Sequence, residues 1–165
     1  MSDYSARKYW FEDLKVGACG LSATRTITEH DVGSFAGLTG DNAELHTSET
    51  YAAATPFGGR IAHGMLLLSL AHGLMVRSGY LDGTGVALLG WEEVRFHAPV
   101  LINDTVQTHW ETKDLRASAS RPDVGIVTDQ VRLLRADGTQ AMSGLVREMV
   151  RRKPDQNPPR PRQRP

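Results

Sequence analysis

His63-Gly64-Met65-Leu66-Leu67-Leu68-Ser69-Leu70-Ala71-His72-Gly73-Leu74-Met75-Val76-Arg77-Ser78 is the stretch that decides the architecture. Met65, Leu66, Leu67, Leu68, Leu70, Ala71, Leu74, Met75 and Val76 leave it almost no polar face. A helix that is apolar all round, yet too short to span a bilayer, has to be buried by something that wraps it. The segments 86–96, 105–115, 125–134 and 139–150 all have strand-like content and supply the wrapping. Val106, Thr108, Trp110 and Thr112 alternate with Gln107, His109, Glu111 and Lys113, so one face of that strand is the drier. Ala136-Asp137-Gly138 makes a hairpin between the last two strands. One long buried helix with about five antiparallel strands is a hot-dog arrangement, α+β in class. No internal repeat is found, which argues against two such units fused in one chain.

Upstream, residues 9–17 read as a loop with one turn of helix, and 18–27 as a strand. Thr28 followed by Asp31 is a capping-box-like helix start, with acid in the first turn where the helix dipole favours it. That helix covers Val32, Phe35, Ala36 and Leu38 and stops at Gly40. Ser48 caps a second short helix through Tyr51 and Ala52-Ala53-Ala54, which Pro56 ends. Between the two lies Thr39-Gly40-Asp41-Asn42-Ala43-Glu44-Leu45-His46, with a carboxylate and an imidazole five residues apart in a loop. Such a pair can share one water, the carboxylate taking a proton and the imidazole giving or taking the other. That suits adding water to a carbon–carbon double bond, or removing it. Taken alone the pair is a weak signal, because an Asp in a Gly-Asp turn commonly just closes the turn.

The surroundings add to it. Thr-Gly-Asp, His five residues after the Asp, Tyr51-Ala52, Phe57-Gly58 and Ile61-Ala62-His63-Gly64-Met65 before an apolar helix closely resemble the MaoC-like family, which includes the (R)-specific 2-enoyl-CoA hydratases. The resemblance extends to Phe11-Glu12-Asp13-Leu14-Lys15-Val16-Gly17, Arg25-Thr26-Ile27-Thr28 and Val94-Arg95-Phe96-His97-Ala98-Pro99-Val100, and so covers about residues 9–150. It implies the same hot-dog fold, a catalytic role for Asp41 and His46, and no metal or redox cofactor. There is a departure. The family typically has Gly-Asp-x-Asn-Pro, an aliphatic residue, then His; here Asn42, Ala43 and Glu44 follow Asp41, so the usual Asn and Pro are missing. The Asp-to-His spacing survives, while the fine positioning of the loop and the substrate are what the change puts at issue.

Composition bounds the rest. The 165 residues suit one domain, with 40% hydrophobic and 23% charged residues as in an ordinary globular protein. Nineteen basic residues balance nineteen acidic ones, so nothing points to nucleic acid. One cysteine, Cys19, excludes an intrachain disulfide framework. No signal-like segment and no membrane-length apolar run is found, so a cytoplasmic location is expected. The domain is placed at 1–150. From Arg151 to Pro165 the chain has six basic residues, one acidic and no aliphatic or aromatic side chain, and reads as a solvated, disordered tail.

Other candidates carry two readings each. His63 lacks any Cys or His partner at ligand spacing, and neither it nor His72 has a supporting carboxylate in sequence, so packing or capping is favoured over metal binding. His97 and His109 read as surface or edge residues of strands. Gly64, opening the buried helix, exposes N–H groups at the positive end of the dipole, where an enolate oxygen would be stabilised; alternatively it only permits close packing. The resemblance favours the first. Ser69 is similar to a Ser near the active site of (R)-hydratases, but its hydroxyl can equally bond the carbonyl one turn back. Leu67, Leu68 and Trp91 are expected along the acyl pocket, giving a short or medium acyl chain, with Arg60 or Arg95 as partner for a dicarboxylic acyl group.

The reading that follows is a hydro-lyase converting a trans-2-enoyl-CoA to a 3-hydroxyacyl-CoA, (R) by resemblance, with Asp41, His46 and Gly64 at the chemistry. An acyl-CoA thioesterase and a non-catalytic acyl-CoA-binding hot-dog protein are the alternatives. A homodimer or higher homo-oligomer is expected, because an open sheet leaves an edge strand to cover.

Overall fold

The structure is a computed structural model that describes residues 8–154. A single 3-10 turn (Phe11–Asp13) precedes β1 (Cys19–Leu21), β2 (Arg25–Thr26), α1 (Glu29–Thr39), α2 (Glu44–Thr47) and α3 (Glu49–Ala53). Then come α4 (Gly64–Arg77), β3 (Gly85–Phe96), β4 (Thr105–Ala117), β5 (Val124–Arg135) and β6 (Gln140–Arg151). The strands form one antiparallel sheet in the order β1-β4-β5-β6-β3, with β2 also on β4. This is a single α+β hot-dog fold, the long helix packed against one face of its sheet.

The four long strands fall within two residues of their expected bounds; burial alternates along β4 and β6, whereas β5 is buried on both faces over most of its length and β3 is largely exposed. The Asp137-Gly138 hairpin forms with Gly138 at φ 84°, a left-handed turn position that glycine adopts without strain. The sheet has six strands rather than five. The expected strand over 18–27 is broken where the buried Ser22 hydroxyl accepts the Thr108 N–H at 3.0 Å, taking the place of a backbone carbonyl in the ladder. The register shifts there, from Leu21↔His109 to Arg25↔Val106.

The inner face of β4 is the one the alternation predicts: Val106, Thr108, Trp110 and Thr112 are all buried. Against it α4 lays Leu66, Leu67, Ala71, Leu74 and Met75. The helix is not wrapped on every side. Met65 is 58% and Val76 50% exposed, and with Ser69 and Gly73 they form an outward stripe at helical spacing. Among the described residues no helix is long and apolar enough to cross a membrane.

The chain stays attached beyond the expected boundary at 150. Arg151 closes β6, the Arg152 guanidinium donates to Glu12 at 2.7 Å and the Lys153 N–H donates to the same carboxylate at 2.9 Å. Residues 155–165 of the expected tail lie outside the described residues.

Candidate active site

Asp41 is delivered by the end of α1. Thr28 and Asp31 form the reciprocal cap expected at its start, and Gly40, at φ 77°, closes it by donating its N–H to Ala36 at 2.8 Å. The left-handed glycine turns the chain away from the helix axis and leaves Asp41 as the first residue of the loop, exposed, with only a long 3.4 Å contact from the Ala43 N–H to Oδ1. His46 lies on the short helix α2 rather than in irregular loop. The Thr47 hydroxyl reaches both Asn42 O and Ala43 O, at 3.2 and 3.1 Å, and ties the turn together through the stretch where the sequence departs from its family.

The hydrogen bond of the His46 ring distinguishes its two nitrogens. Nδ1 sits 2.7 Å from the Ile61 carbonyl. A carbonyl only accepts, so Nδ1 carries a proton and Nε2 is the ring nitrogen left to meet a ligand. The Ile61 anchor is itself fixed, since Ala62 N–H donates to Val100 O at 2.8 Å and Ile61 bridges Leu101.

His63 joins the pair, which sequence spacing did not reveal. Its side chain does not cap α4; it is 1% exposed and stacks on His46 with ring centroids 3.8 Å apart at 30°. Its Nε2–H donates to the main-chain oxygen of Asp41 at 3.0 Å, leaving Nδ1 without a partner among the described residues. One buried imidazole thus holds the Asp41 backbone and the His46 ring at once. Possible ligand atoms of Asp41, His46 and His63 lie within 4.8 Å of one another, a cluster that only the fold assembles.

Gly64 opens α4 beside them. Its N–H belongs to the first turn, which has no acceptor within the helix. A Cβ at this position would stand 3.0 Å from the Phe96 ring, so glycine lets that ring close over the helix start. A cavity of about 340 Å³ opens here, lined by His46, Phe57, Ile61, Gly64, Leu67, Phe96 and 97–100. A helix-start N–H and an imidazole on one apolar cavity, with a carboxylate clustered on that imidazole, can polarise a carbonyl and move protons beside it.

His46, Gly64 and Leu67 therefore share one cavity with Asp41 clustered on His46, while the other expected site residues do not line it. The Ser69 hydroxyl is exposed and donates to Met65 O at 2.9 Å, the local bond one turn back. Leu68 packs partly buried against the core. Trp91 lies on β3 opposite Val146, with its ring near His72. Arg60 donates to Glu49 at 2.8 Å and Glu29 at 3.0 Å in a separate polar depression beside Asn103. His63, Phe57, Phe96 and residues 97–100 were missed as a set, His97 having been read as a surface or edge residue of a strand.

Comparison with known proteins bears on the family and the fold. A family model described as MaoC like domain matches residues 17–133. Protein MaoC of Klebsiella aerogenes is 40% identical over 107 residues, 65% of this chain, which spans only 31% of that longer protein. An (R)-specific enoyl-CoA hydratase of Aeromonas caviae is 36% identical over 114 residues, 69% of this chain and 79% of the relative. Among solved structures, an Archaeoglobus monoamine oxidase regulatory protein superposes with a TM-score of 0.81 at 33% identity, covering 92% of this chain and all of that one. With a matched fold and a family model spanning most of its length, the chain belongs to the MaoC-like domain family.

Proposed function

We propose that the protein is a hydro-lyase that reversibly hydrates a trans-2-enoyl-CoA thioester to the 3-hydroxyacyl-CoA, with the (R) configuration at C3. The single observation that carries this reading is that His46 and Gly64 line one apolar cavity while a possible ligand atom of Asp41 lies within 4.8 Å of one of His46. Relatives named as enoyl-CoA hydratase and hydroxybutyryl-CoA dehydratase support it.

The Gly64 N–H receives the thioester oxygen and stabilises the enolate that forms when C3 is attacked. Water is held between Asp41 and His46. Asp41 removes one water proton as the oxygen bonds C3, and His46, protonated on both nitrogens, releases its Nε2 proton to C2. The product gains one water in all. Passage of the Asp41 proton back to Nε2 resets the pair, and the Nδ1–H bond to Ile61 keeps the ring aimed throughout. Protons are the only species transferred between protein and substrate, so no metal or redox cofactor enters this proposal.

The test uses trans-2-butenoyl-CoA and longer homologues. Loss of enoyl absorbance with the thioester intact, and recovery of a 3-hydroxyacyl-CoA, is the expected result. Release of free coenzyme A thiol would instead mean that water attacks the thioester carbonyl, as in a thioesterase. Tight binding without turnover would leave a binding protein.

We also propose a homodimer closed through β3. That strand is the outer edge of the sheet, its far side unpaired, and it holds Leu88, Leu89 and Phe96 at 47–50% exposure. Its register shifts near Gly85, Leu88 and Glu92 discourage open-ended strand addition, so a closed two-fold pair is the favoured cover. Light scattering at micromolar protein should give twice the chain mass; a monomer overturns this assembly. We place the enzyme in the cytoplasm, in keeping with a sequence that has a single cysteine.

A further inference from the structure

Beneath the C-terminal half of α4 the sheet carries ionisable groups that the reaction does not use. Asp129 on β5 is fully buried, and Glu148 on β6 is 8% exposed. Pairing of Asp129 with Val146 and of Val127 with Glu148 makes the two acids diagonal neighbours on the inner face. His72 comes down from α4 with Nε2 3.9 Å from Glu148 Oε1, and the Tyr80 hydroxyl donates to Asp129 Oδ2 at 3.0 Å. Glu148 Oε2, Asp129 Oδ1 and His72 Nδ1 are all shut off from solvent with no partner among the described residues.

Three orphaned polar atoms in one place are unusual, since burial without a partner forfeits the hydrogen bonds of water. Burial raises Glu148 to about 7, with Asp129 adding to the shift, and raises Asp129 to about 6. Burial also lowers His72, so its contact with Glu148 joins two groups pushed toward neutrality and is not a strong ion pair.

The cluster stands at the end of a seam that starts at the reaction site. Gly64, Leu68 and His72 share one face of α4, and eight residues of helix span about 12 Å. β3 runs alongside in the opposite sense. The Phe96 ring covers Gly64, and the Trp91 ring stands edge-on to His72 with centroids 6.1 Å apart. Leu88, which pairs with Glu148, is half exposed at the sheet edge. Leu68, Phe96 and Trp91, apolar side chains, thus stand along α4 between the Gly64 end and the buried carboxyl pair.

Resting on the enoyl-CoA reading above, we propose that this seam takes the acyl chain and that Glu148, with Asp129 and His72, receives a hydrogen-bond donor near the far end of that chain, a hydroxyl or an ammonium. A donor satisfies Glu148 Oε2 and relieves its repulsion with Asp129. A methyl terminus leaves these atoms orphaned, and a carboxylate adds a third negative group beside them. The distance of about 12 Å from Gly64 corresponds to roughly eight to ten carbons, given C–C bonds of about 1.5 Å.

The experiment compares trans-2-decenoyl-CoA with its 10-hydroxy, 10-amino and 10-carboxy counterparts, with trans-2-butenoyl-CoA, too short to reach the cluster, as reference. The hydroxy or amino substrate should exceed the methyl one by at least ~10-fold in kcat/KM, mostly through KM, with the carboxylate slowest. Glu148→Leu should reverse the order in favour of methyl, and the isosteric Glu148→Gln should abolish the amino preference. Hydration of butenoyl-CoA with equal or methyl-favouring rates on the wild-type decenoyl set overturns the proposal and leaves the enzyme assignment standing. No hydration of any of the five overturns both.

Discussion

Asp41→Asn yields a folded protein whose hydration of enoyl-CoA falls by at least ~10²-fold, the lower end of the ~10²–10⁴-fold that a positioned acid or base contributes. The side chain is exposed, and its weak contact to the Ala43 N–H can be kept by the amide oxygen of Asn. The bond that places this residue runs from His63 to its main-chain oxygen and survives the substitution. What is lost is the ability to take a proton from water. His46→Ala should lower turnover to a similar extent by removing the Nε2 proton donor, together with the Nδ1 bond to Ile61. Circular dichroism and a denaturant midpoint close to wild type accompany both expected losses. Near-normal turnover in either variant removes that residue from the chemistry.

The fold was legible in the sequence wherever local signals and burial agreed. α4 announces itself by composition, α1 by its reciprocal cap and left-handed glycine, and β4 by strict alternation ending in a buried Thr112. The break between β1 and β2 was not legible, because it depends on the Ser22 hydroxyl finding Thr108, 86 positions away. The same division runs through the site. Asp41 and His46 are close in sequence and held by a local turn, so their spacing carries meaning. His63 reaches Asp41 across 22 positions and becomes part of the site only when α4 packs against the loop. Glu148 and Asp129 defeat sequence reading for a related reason: a carboxyl on a strand is expected to face water, yet both fall on inward positions. Arg60 shows the reverse, a plausible carboxylate partner in sequence whose guanidinium is already held by Glu29 and Glu49.

Trp110→Ala should destabilise the domain by ~3–5 kcal/mol, the usual cost of emptying a large buried aromatic site. Set against total stabilities of ~5–15 kcal/mol, that is enough to threaten folding. Trp110 is 2% exposed, packs at 5.3 Å from the Tyr80 ring and fills the space above Gly20 on β1. A Cβ at Gly20 would fall 1.9 Å from its indole, so β1 can approach β4 here only as glycine. Gly20→Ala should therefore cost ~1–3 kcal/mol by overpacking a site that has no room to give. The two effects share one space and should not add. In the Trp110→Ala background the alanine methyl enters the vacated volume, and Gly20→Ala becomes nearly neutral or slightly stabilising. Urea unfolding of the wild type, both single variants and the double variant measures this coupling directly. A loss below ~1 kcal/mol for Trp110→Ala, or strict additivity in the double variant, would show that the indole does not occupy the gap that Gly20 leaves.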